Sequence, residues 1–523
     1  MSTALRDPHV LVLGGGIGGL SAAIDLAASG VRVTLIERQP WLGGKLRQVV
    51  VDGRGIDAGP TVFTMRQVFE GLFGDAGADF GSYVQTLPVE VLARHGWTDG
   101  ARLDLFTDPE RSSDAIAEAF GPREAEGYRR FVTYTRAIYE EVHDTFVFAE
   151  KPSLTNVMKV VGQRGVRAVM RIDFRRSMWR ALGDFFADPR LRQLFGRYAT
   201  YYGSSPFSAP ATLNLIAEVE REGVWSVQGG MIELARAFER LARERGVDLR
   251  TGTGVAEIVV ERGRAVGVRL EDGARIDADA VVCNGDPSAI ATGLLGADAK
   301  RGGHHVIVPK RSLSAITWSL VGSTHGFPLD HHNVFFSTDY PREFKQLEAQ
   351  LQVPDEPTVY VCAQDRRPGM IAPEGDPETM LVLINAPATG DVNPLTPPEI
   401  QRCEERTFEL MERCGLMIRR RGEVVTTPRE FEAMFPGTGG ALYGPATQGS
   451  MAPFSRPAAT TKIPGLFLVG GGAHPGSGLP MVTLSGRIAA RAVREDLRSR
   501  KTSSPGVTPG GTSTWFRRTS ASR

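Results

Sequence analysis

The chain has 523 residues, more than one hydrophobic core sustains, so its length alone predicts at least two domains. With 41% hydrophobic and 23% charged residues it reads as an ordinary globular protein, and a formal net charge of +1 gives no global attraction to nucleic acid. Four scattered cysteines (Cys283, Cys362, Cys403 and Cys414) form no Cys-x-x-Cys pair, which argues against a disulfide framework or a zinc site and fits reduced thiols in a cytosolic protein.

In chain order, Val10–Leu13 is a short apolar run of the kind that forms a buried parallel strand. It is too short for a signal-peptide core, and no run reaches the ~18 apolar residues of a membrane-spanning helix. Ile17, Leu20, Ile24 and Ala27 then recur at helical spacing, Gly30 stops the helix, and Val31–Ile36 resumes strand character. A second block starts near Gly229. It has a helix over Met231–Arg245, a strand over Val247–Arg250, and a three-stranded meander of Val255–Glu261, Ala265–Glu271 and Ala274–Val282. A third block, Gly465–Val493, reads as strand Leu466–Val469, a glycine-rich loop, and a helix carrying Met481, Leu484, Ile488 and Ala492 on one face. Insertions over roughly 100–228 and 300–430 separate these blocks. The stretch from Lys501 to Arg523 is Ser, Thr, Gly and Pro with little apolar content, which predicts a disordered tail over 501–523.

Gly14, Gly16 and Gly19, with Gly18 between them, form G-x-G-x-x-G after a strand and at the opening of a helix. The first glycine permits a tight turn, the second lets backbone approach a pyrophosphate, and the third lets helix pack on strand. The helix N-terminus then faces the phosphates, and Glu37, at the end of the next strand, would accept hydrogen bonds from the adenosine ribose.

The fingerprint alone does not separate NAD from FAD. Glu37-Arg38 followed by Gly43-Gly44-Lys45, and then Gly59-Pro60-Thr61, resembles the E-R-x-x-x-x-G-G-[RK] and G-P-T segments of the amine-oxidase and carotenoid-desaturase superfamily of flavoproteins. Gly470, Gly472, His474, Pro475, Gly476, Gly478 and Pro480 match the G-x-G-x-H-P-G-x-G-[IVL]-P loop of carotenoid desaturases. The segments 92–110, 194–206, 435–444 and 478–486 are most similar to the 1-hydroxycarotenoid 3,4-desaturase branch, and the resemblance spans about residues 9–495, weakest over 150–180.

This resemblance implies an α/β fold: a two-segment FAD/NAD(P)-binding Rossmann-like domain with an inserted α+β substrate domain. It places FAD-binding segments at 1–100, 229–299 and 431–500, a substrate and membrane-contact insertion at 101–228, and a substrate domain at 300–430. It implies noncovalent FAD held by Gly14, Gly16, Gly18, Gly19, Glu37, Arg38, Gly44, Lys45, Gly59, Pro60, Thr61, Val255, Gly471, Gly472, Pro480, Met481 and Val482. Lys45 would give positive charge to the pyrophosphate or ribose, and the helix after Pro480 would point its positive end at the flavin. The implied reaction is dehydrogenation at C3–C4 of an acyclic carotenoid bearing a hydroxyl or methoxyl at C1, with quinone or dioxygen as electron acceptor. No residue stands out as the catalytic base. His474 reads either as one or as a residue fixing its loop, the latter favoured.

Segment 151–192 holds ten Lys or Arg against three Asp, interleaved with Val157, Met158, Val160, Val161, Val169, Met170, Met178 and Trp179. It reads as a basic, apolar surface for anionic lipid, giving peripheral association with the inner face of the membrane from the cytoplasm. The alternative is a solvated basic face. The pairs His304-His305 and His331-His332 lack metal-site spacing and read as surface loops. Alternatives on the same fold are a phytoene desaturase, a carotenoid isomerase, an amine or protoporphyrinogen oxidase, and a lipid-binding protein of the Rab GDP-dissociation inhibitor kind.

Overall fold

The computed structural model describes residues 7–142, 171–370, 375–449 and 456–503, the side chains of the last three excepted. Much of the basic segment (its residues 151–170) and the tail beyond 503 lie outside the described residues. No helix among the described residues is long and apolar enough to cross a membrane.

His9–Leu13, buried at every position, is the central strand of a five-stranded parallel sheet. Arg32–Ile36 pairs with it on one side, followed outward by Asp248–Arg250; on the other side lie Ala280–Cys283 and then Leu466–Leu468. Three distant stretches of chain therefore supply one sheet. Helix Ile17–Ala28 covers it, with Leu20, Ile24 and Leu26 buried as the helical spacing requires. Helix Ile232–Glu244 packs beside it through Leu234, Phe238 and Leu241. The start of that second helix is capped from far away: Asp57 accepts from Met231 N at 2.6 Å and Ile232 N at 3.3 Å. Burial pushes the Asp57 carboxyl above its ordinary value, and those N–H donors oppose the shift.

The run expected as one strand over 274–282 divides in two. Arg275–Asp277 closes the antiparallel meander with Val255–Glu261 and Arg264–Leu270, whereas Ala280–Cys283 leaves it and joins the parallel sheet. The cause is local. Asp279 accepts from His9 N through its carboxylate and donates its own N–H to His9 O, both at 2.8 Å, which steers the four buried residues after it beside the first strand.

A seven-stranded sheet forms the second layer, in the order 416–426, 314–326, 378–386, 359–363, 332–335, 91–96 and 102–106. The boundary expected at residue 100 falls inside the hairpin Val91–Gly96/Arg102–Phe106, both strands of which belong to this sheet. The two insertions are one body in packing terms: Trp97, Phe131, Phe186 and Phe195 share a core with Phe336, Tyr340, Phe344 and Tyr360. Met178 is fully buried in that core and Arg176 is tied to Asp173 and Asp184, so this end of the basic segment is partly internal and not all surface, because its apolar side chains find a protein core first.

Helix Leu479–Ser503 crosses helix Ile17–Ala28 closely at Gly486, where an added Cβ would meet Gly18 O at 2.5 Å and Ser21 Cβ at 2.6 Å. Gly486→Ala is expected to cost about 1–3 kcal/mol through overpacking despite its better helix propensity. Gly74→Ala, whose Cβ meets nothing within 4 Å, is the contrasting case. Thermal melting of the two variants should show a drop in Tm only for Gly486→Ala.

Candidate cofactor and substrate site

The glycine turn closes where the parallel strands end. Gly14 has φ +97°, and Gly19 sits so tightly that a Cβ would lie 2.1 Å from Gly14 O. No side chain caps the helix that follows and none in its first turn is acidic. Its leading N–H groups thus face outward beside Gly16 and Gly18, a ready anion site. Glu37 is buried and oriented by the turn itself: Gly15 N donates to its Oε2 at 2.7 Å and Gln39 N to its Oε1 at 2.8 Å. Val255 begins its strand just after Thr253, whose N–H donates to Glu37 O at 2.9 Å.

The Gly43-Gly44 turn docks on the first. Gly43 N donates to Gly15 O at 2.8 Å and a Cβ on Gly44 would meet Gly16 Cα at 3.0 Å. Gly59 lies against the Lys45 carbonyl, with Pro60 and Thr61 half-buried after it. Lys45 is not a solvated lysine. It is half-buried, donates to Leu442 O at 2.6 Å, and stands 5.2 Å from the Phe435 ring centre. Burial lowers it to about 8, against the attraction of Asp286. Arg38 points elsewhere: it is exposed and donates to Met434 O at 2.9 Å and to Ala433 O, at the C-terminus of helix Pro428–Met434.

The third segment completes the convergence. Gly471 and Gly472 end the Leu466–Leu468 strand loop, and Pro480, Met481 and Val482 form the first turn of helix Leu479–Ser503, Val482 N donating to Gly478 O at 2.9 Å. His474 is buried in a cis peptide with Pro475, and its backbone N donates to Pro457 O at 2.9 Å.

Three residues at this convergence escaped the sequence reading. Asn284 donates to Gly14 O at 3.2 Å and touches the positions where Gly16, Gly18 and Gly470 would carry Cβ atoms. Buried Arg456 donates to Tyr443 O, Pro445 O and Gly471 O, and burial lowers it to about 10, with Tyr202 and Asp286 acting the other way. Asp286 caps helix Pro287–Thr292, accepting from Ser288 N at 2.8 Å. The cue was present as Asn284-Gly285-Asp286-Pro287, a strand end followed by a cap and an N1 proline.

Beside Thr61 opens a narrow cavity between the seven-stranded sheet and the helical insertion. It holds about 20 Å³ of free space, and its wall is half apolar (Val62, Leu92, Leu105, Leu194, Val224 and Val334 among others) and half polar, with His95, Arg197, Tyr198, Tyr201, Glu220, His332 and Tyr360. A larger cleft of about 490 Å³ lies by Asp57 and is lined by Arg54, Asp365, Arg367 and Asp376, a polar lining unsuited to a hydrocarbon.

His304 and His305 are exposed, as expected for a loop, but His331 and His332 are not in a surface loop. They are buried at the start of strand His332–Phe335, and their ligand atoms and Cys362 Sγ lie within 4.8 Å of one another. The sheet accounts for this placement: His331 Nδ1 lies 2.9 Å from Ala363 O and His332 Nδ1 lies 2.7 Å from Tyr360 OH. Burial lowers His331 to about 4 and holds His332 well below its ordinary value, so both rings are neutral near pH 7.

A parallel sheet fed by three chain segments, with paired glycine turns at its strand ends, has the form of a dinucleotide-binding oxidoreductase fold. The model of the family "Flavin containing amine oxidoreductase" matches residues 17–494. The chain is similar to the hydroxyneurosporene desaturase of Rubrivivax gelatinosus, at 48% identity over 98% of each chain. It is also similar to that of Cereibacter sphaeroides, at 42% identity over 94% of this chain and 99% of the other. A redesigned putrescine oxidase shares the fold with a TM-score of 0.60 at 14% identity, covering 94% of this chain and 99% of that one. The chain belongs to the flavin-containing amine oxidoreductase family, in its carotenoid desaturase branch, and its cofactor is FAD.

Glu37→Ala leaves the Gly15 and Gln39 N–H groups without their acceptor, at about 1–3 kcal/mol for a buried donor. FAD retained after gel filtration should fall accordingly, with Glu37→Gln retaining more. Normal retention by Glu37→Ala would show that the turn holds without this carboxylate.

Proposed function

We propose that the protein is an FAD-dependent desaturase that removes two hydrogens from C3–C4 of an acyclic carotenoid hydroxylated or methoxylated at C1. The observation that carries this reading is the close meeting of the Gly14–Gly19, Gly43-Gly44 and Gly470–Gly472 turns at the ends of the parallel strands, a cradle for a dinucleotide cofactor. The near full-length similarity to proteins named hydroxyneurosporene desaturase supports it.

The uncapped helix start at Ile17, with Gly14, Gly16, Gly18 and Gly19, fits the FAD pyrophosphate, and Gly44 extends that cradle. Half-buried Lys45 and buried Arg456 fit an anionic ligand, which would offset the desolvation of each cation. Glu37 and the Val255 backbone fit the adenosine end. Gly59, Pro60, Thr61, Gly471, Gly472, Pro480, Met481 and Val482 fit the flavin end. Arg38 fits a supporting role, bracing the 428–434 helix against the loop. When bound, FAD supplies the acceptor for the hydride and the two electrons it carries. The chain's own contribution is to hold the substrate bond beside Thr61 and exclude water, and allylic activation by the polyene makes positioning matter more than a strong base. We assign His474 to fixing its loop.

We further propose that the cation-rich stretch 151–192 attaches the protein to the cytoplasmic face of the membrane, where a water-insoluble substrate and a quinone acceptor reside; dioxygen is the other candidate acceptor. Binding to anionic vesicles should fall as salt rises and with Arg175→Glu, an exposed residue. Equal binding to neutral and anionic vesicles would count against it.

The substrate assignment is tested by product chromatography from cells accumulating neurosporene, 1-hydroxyneurosporene or phytoene. The expected product is the C3–C4 dehydrogenated 1-hydroxy compound. Successive desaturation of phytoene would instead make this a phytoene desaturase, and geometric isomers without dehydrogenation would make it an isomerase.

A further inference from the structure

One cation, Arg197, lines the narrow cavity beside Thr61. Arg197 begins the 3-10 turn Arg197–Tyr202, and its guanidinium lies 5.6 Å from the Tyr201 ring centre and 5.2 Å from that of Tyr360. Among the described residues it forms no salt bridge. Burial opposes its charge, and the phenol oxygens around it sustain it. Two ring faces and the Tyr201 hydroxyl stabilise the cation but leave most of a guanidinium's five N–H donors for a further acceptor. With Glu220, Tyr201, His332 and Tyr360 also in the lining, the cavity suits a polar end group better than a plain hydrocarbon one. A plain polyene offers no acceptor. An oxygen on the carotenoid end does.

The position relative to the cofactor segment is equally specific. The Tyr360 hydroxyl lies 2.7 Å from Thr61 Oγ1 and 2.7 Å from His332 Nδ1, so Arg197 stands one tyrosine ring away from the Gly59–Thr61 segment. In a 1-hydroxy carotenoid the oxygen sits on C1, which is two carbon–carbon bonds from C3. A group that anchors this oxygen at Arg197 therefore holds C3–C4 next to Thr61, without needing to measure the polyene's length.

We propose that Arg197 is the residue that selects the oxygenated carotenoid end, donating N–H groups to the oxygen on C1. This rests on the desaturase reading above and deepens it. Arg donates and cannot accept, so the requirement is for an acceptor oxygen only: a C1 hydroxyl and a C1 methoxyl should both satisfy it. A site that read the hydroxyl by accepting its proton would reject the methyl ether. Tyr360 and Glu220 would then be positioning residues, the first by packing on the guanidinium and the second by its nearby charge.

The test compares neurosporene, 1-hydroxyneurosporene and 1-methoxyneurosporene with the wild-type holoenzyme, Arg197→Met and Arg197→Lys. It uses kcat/KM ratios and equilibrium binding measured by fluorescence quenching. The wild type should favour both oxygenated substrates by about tenfold or more, the scale of a hydrogen bond to a charged group. Arg197→Met should bring the three substrates to within about threefold of one another while retaining FAD, because the loss concerns discrimination and not the cofactor. Arg197→Lys, which keeps a donor, should give an intermediate preference and guards against a Met variant that fails to fold. A preference that survives both substitutions overturns the Arg197 assignment and leaves the desaturase reading standing. A wild type indifferent to the C1 oxygen overturns that reading and the assignment together.

Discussion

The close approach of backbone to backbone around Asn284 is the constraint on which the rest depends. The turn at Gly14–Gly19, the Gly43-Gly44 turn and the Gly470–Gly472 loop come from distant parts of the chain, yet they meet with almost no room for side chains. Asn284 ties Gly14 from the adjoining strand, and Arg456 ties Gly471 to the 443–445 loop through carbonyl groups. Each unit is held by backbone groups that would otherwise be buried without partners, a cost that makes the convergence cooperative.

That convergence also concentrates charge. Lys45 and Arg456 are both depressed by burial, and Asp286 is the acidic group that favours the charged form of each. A cluster with more buried positive than negative charge is poor for stability and good for binding an anion, which compensates it. FAD carries such a charge in its pyrophosphate. Cofactor binding is therefore expected to stabilise the fold, since a ligand that binds only the native state shifts its equilibrium by mass action.

The cavity depends on a different layer. Its apolar residues come from the seven-stranded sheet and the helices packed on it, and its polar ones from four elements among others: Arg197 on a 3-10 turn, Glu220 on helix Ile216–Arg221, and His332 and Tyr360 on two paired strands. Links back to the cofactor side include the Thr61–Tyr360 contact and the paired hydrogen bonds between Asp57 and Gln364. The cavity and the cofactor cradle thus sit on different sheets joined by several contacts.

The local rules written into the chain determined the cofactor-side frame. A strand of four apolar residues, glycines at the spacing that a phosphate turn needs, an acidic strand end and a helix of period 3.6 are each short-range features, legible at Val10–Leu13, Gly14–Gly19, Glu37 and Ile17–Ala27. What tertiary structure decided was everything that needs two distant residues. The run 274–282 split because Asp279 meets His9; His331 and His332 became interior because their strand lies inside the sheet; Met178 turned inward because a core was there to receive it. Arg38 faced a helix end far along the chain, and Asn284, Arg456 and Arg197 gained their meaning only from partners many residues away. Pattern reports what a segment does with its neighbours in sequence; a site assembled from five segments depends on closure between them, and no local period encodes which side chain will face which.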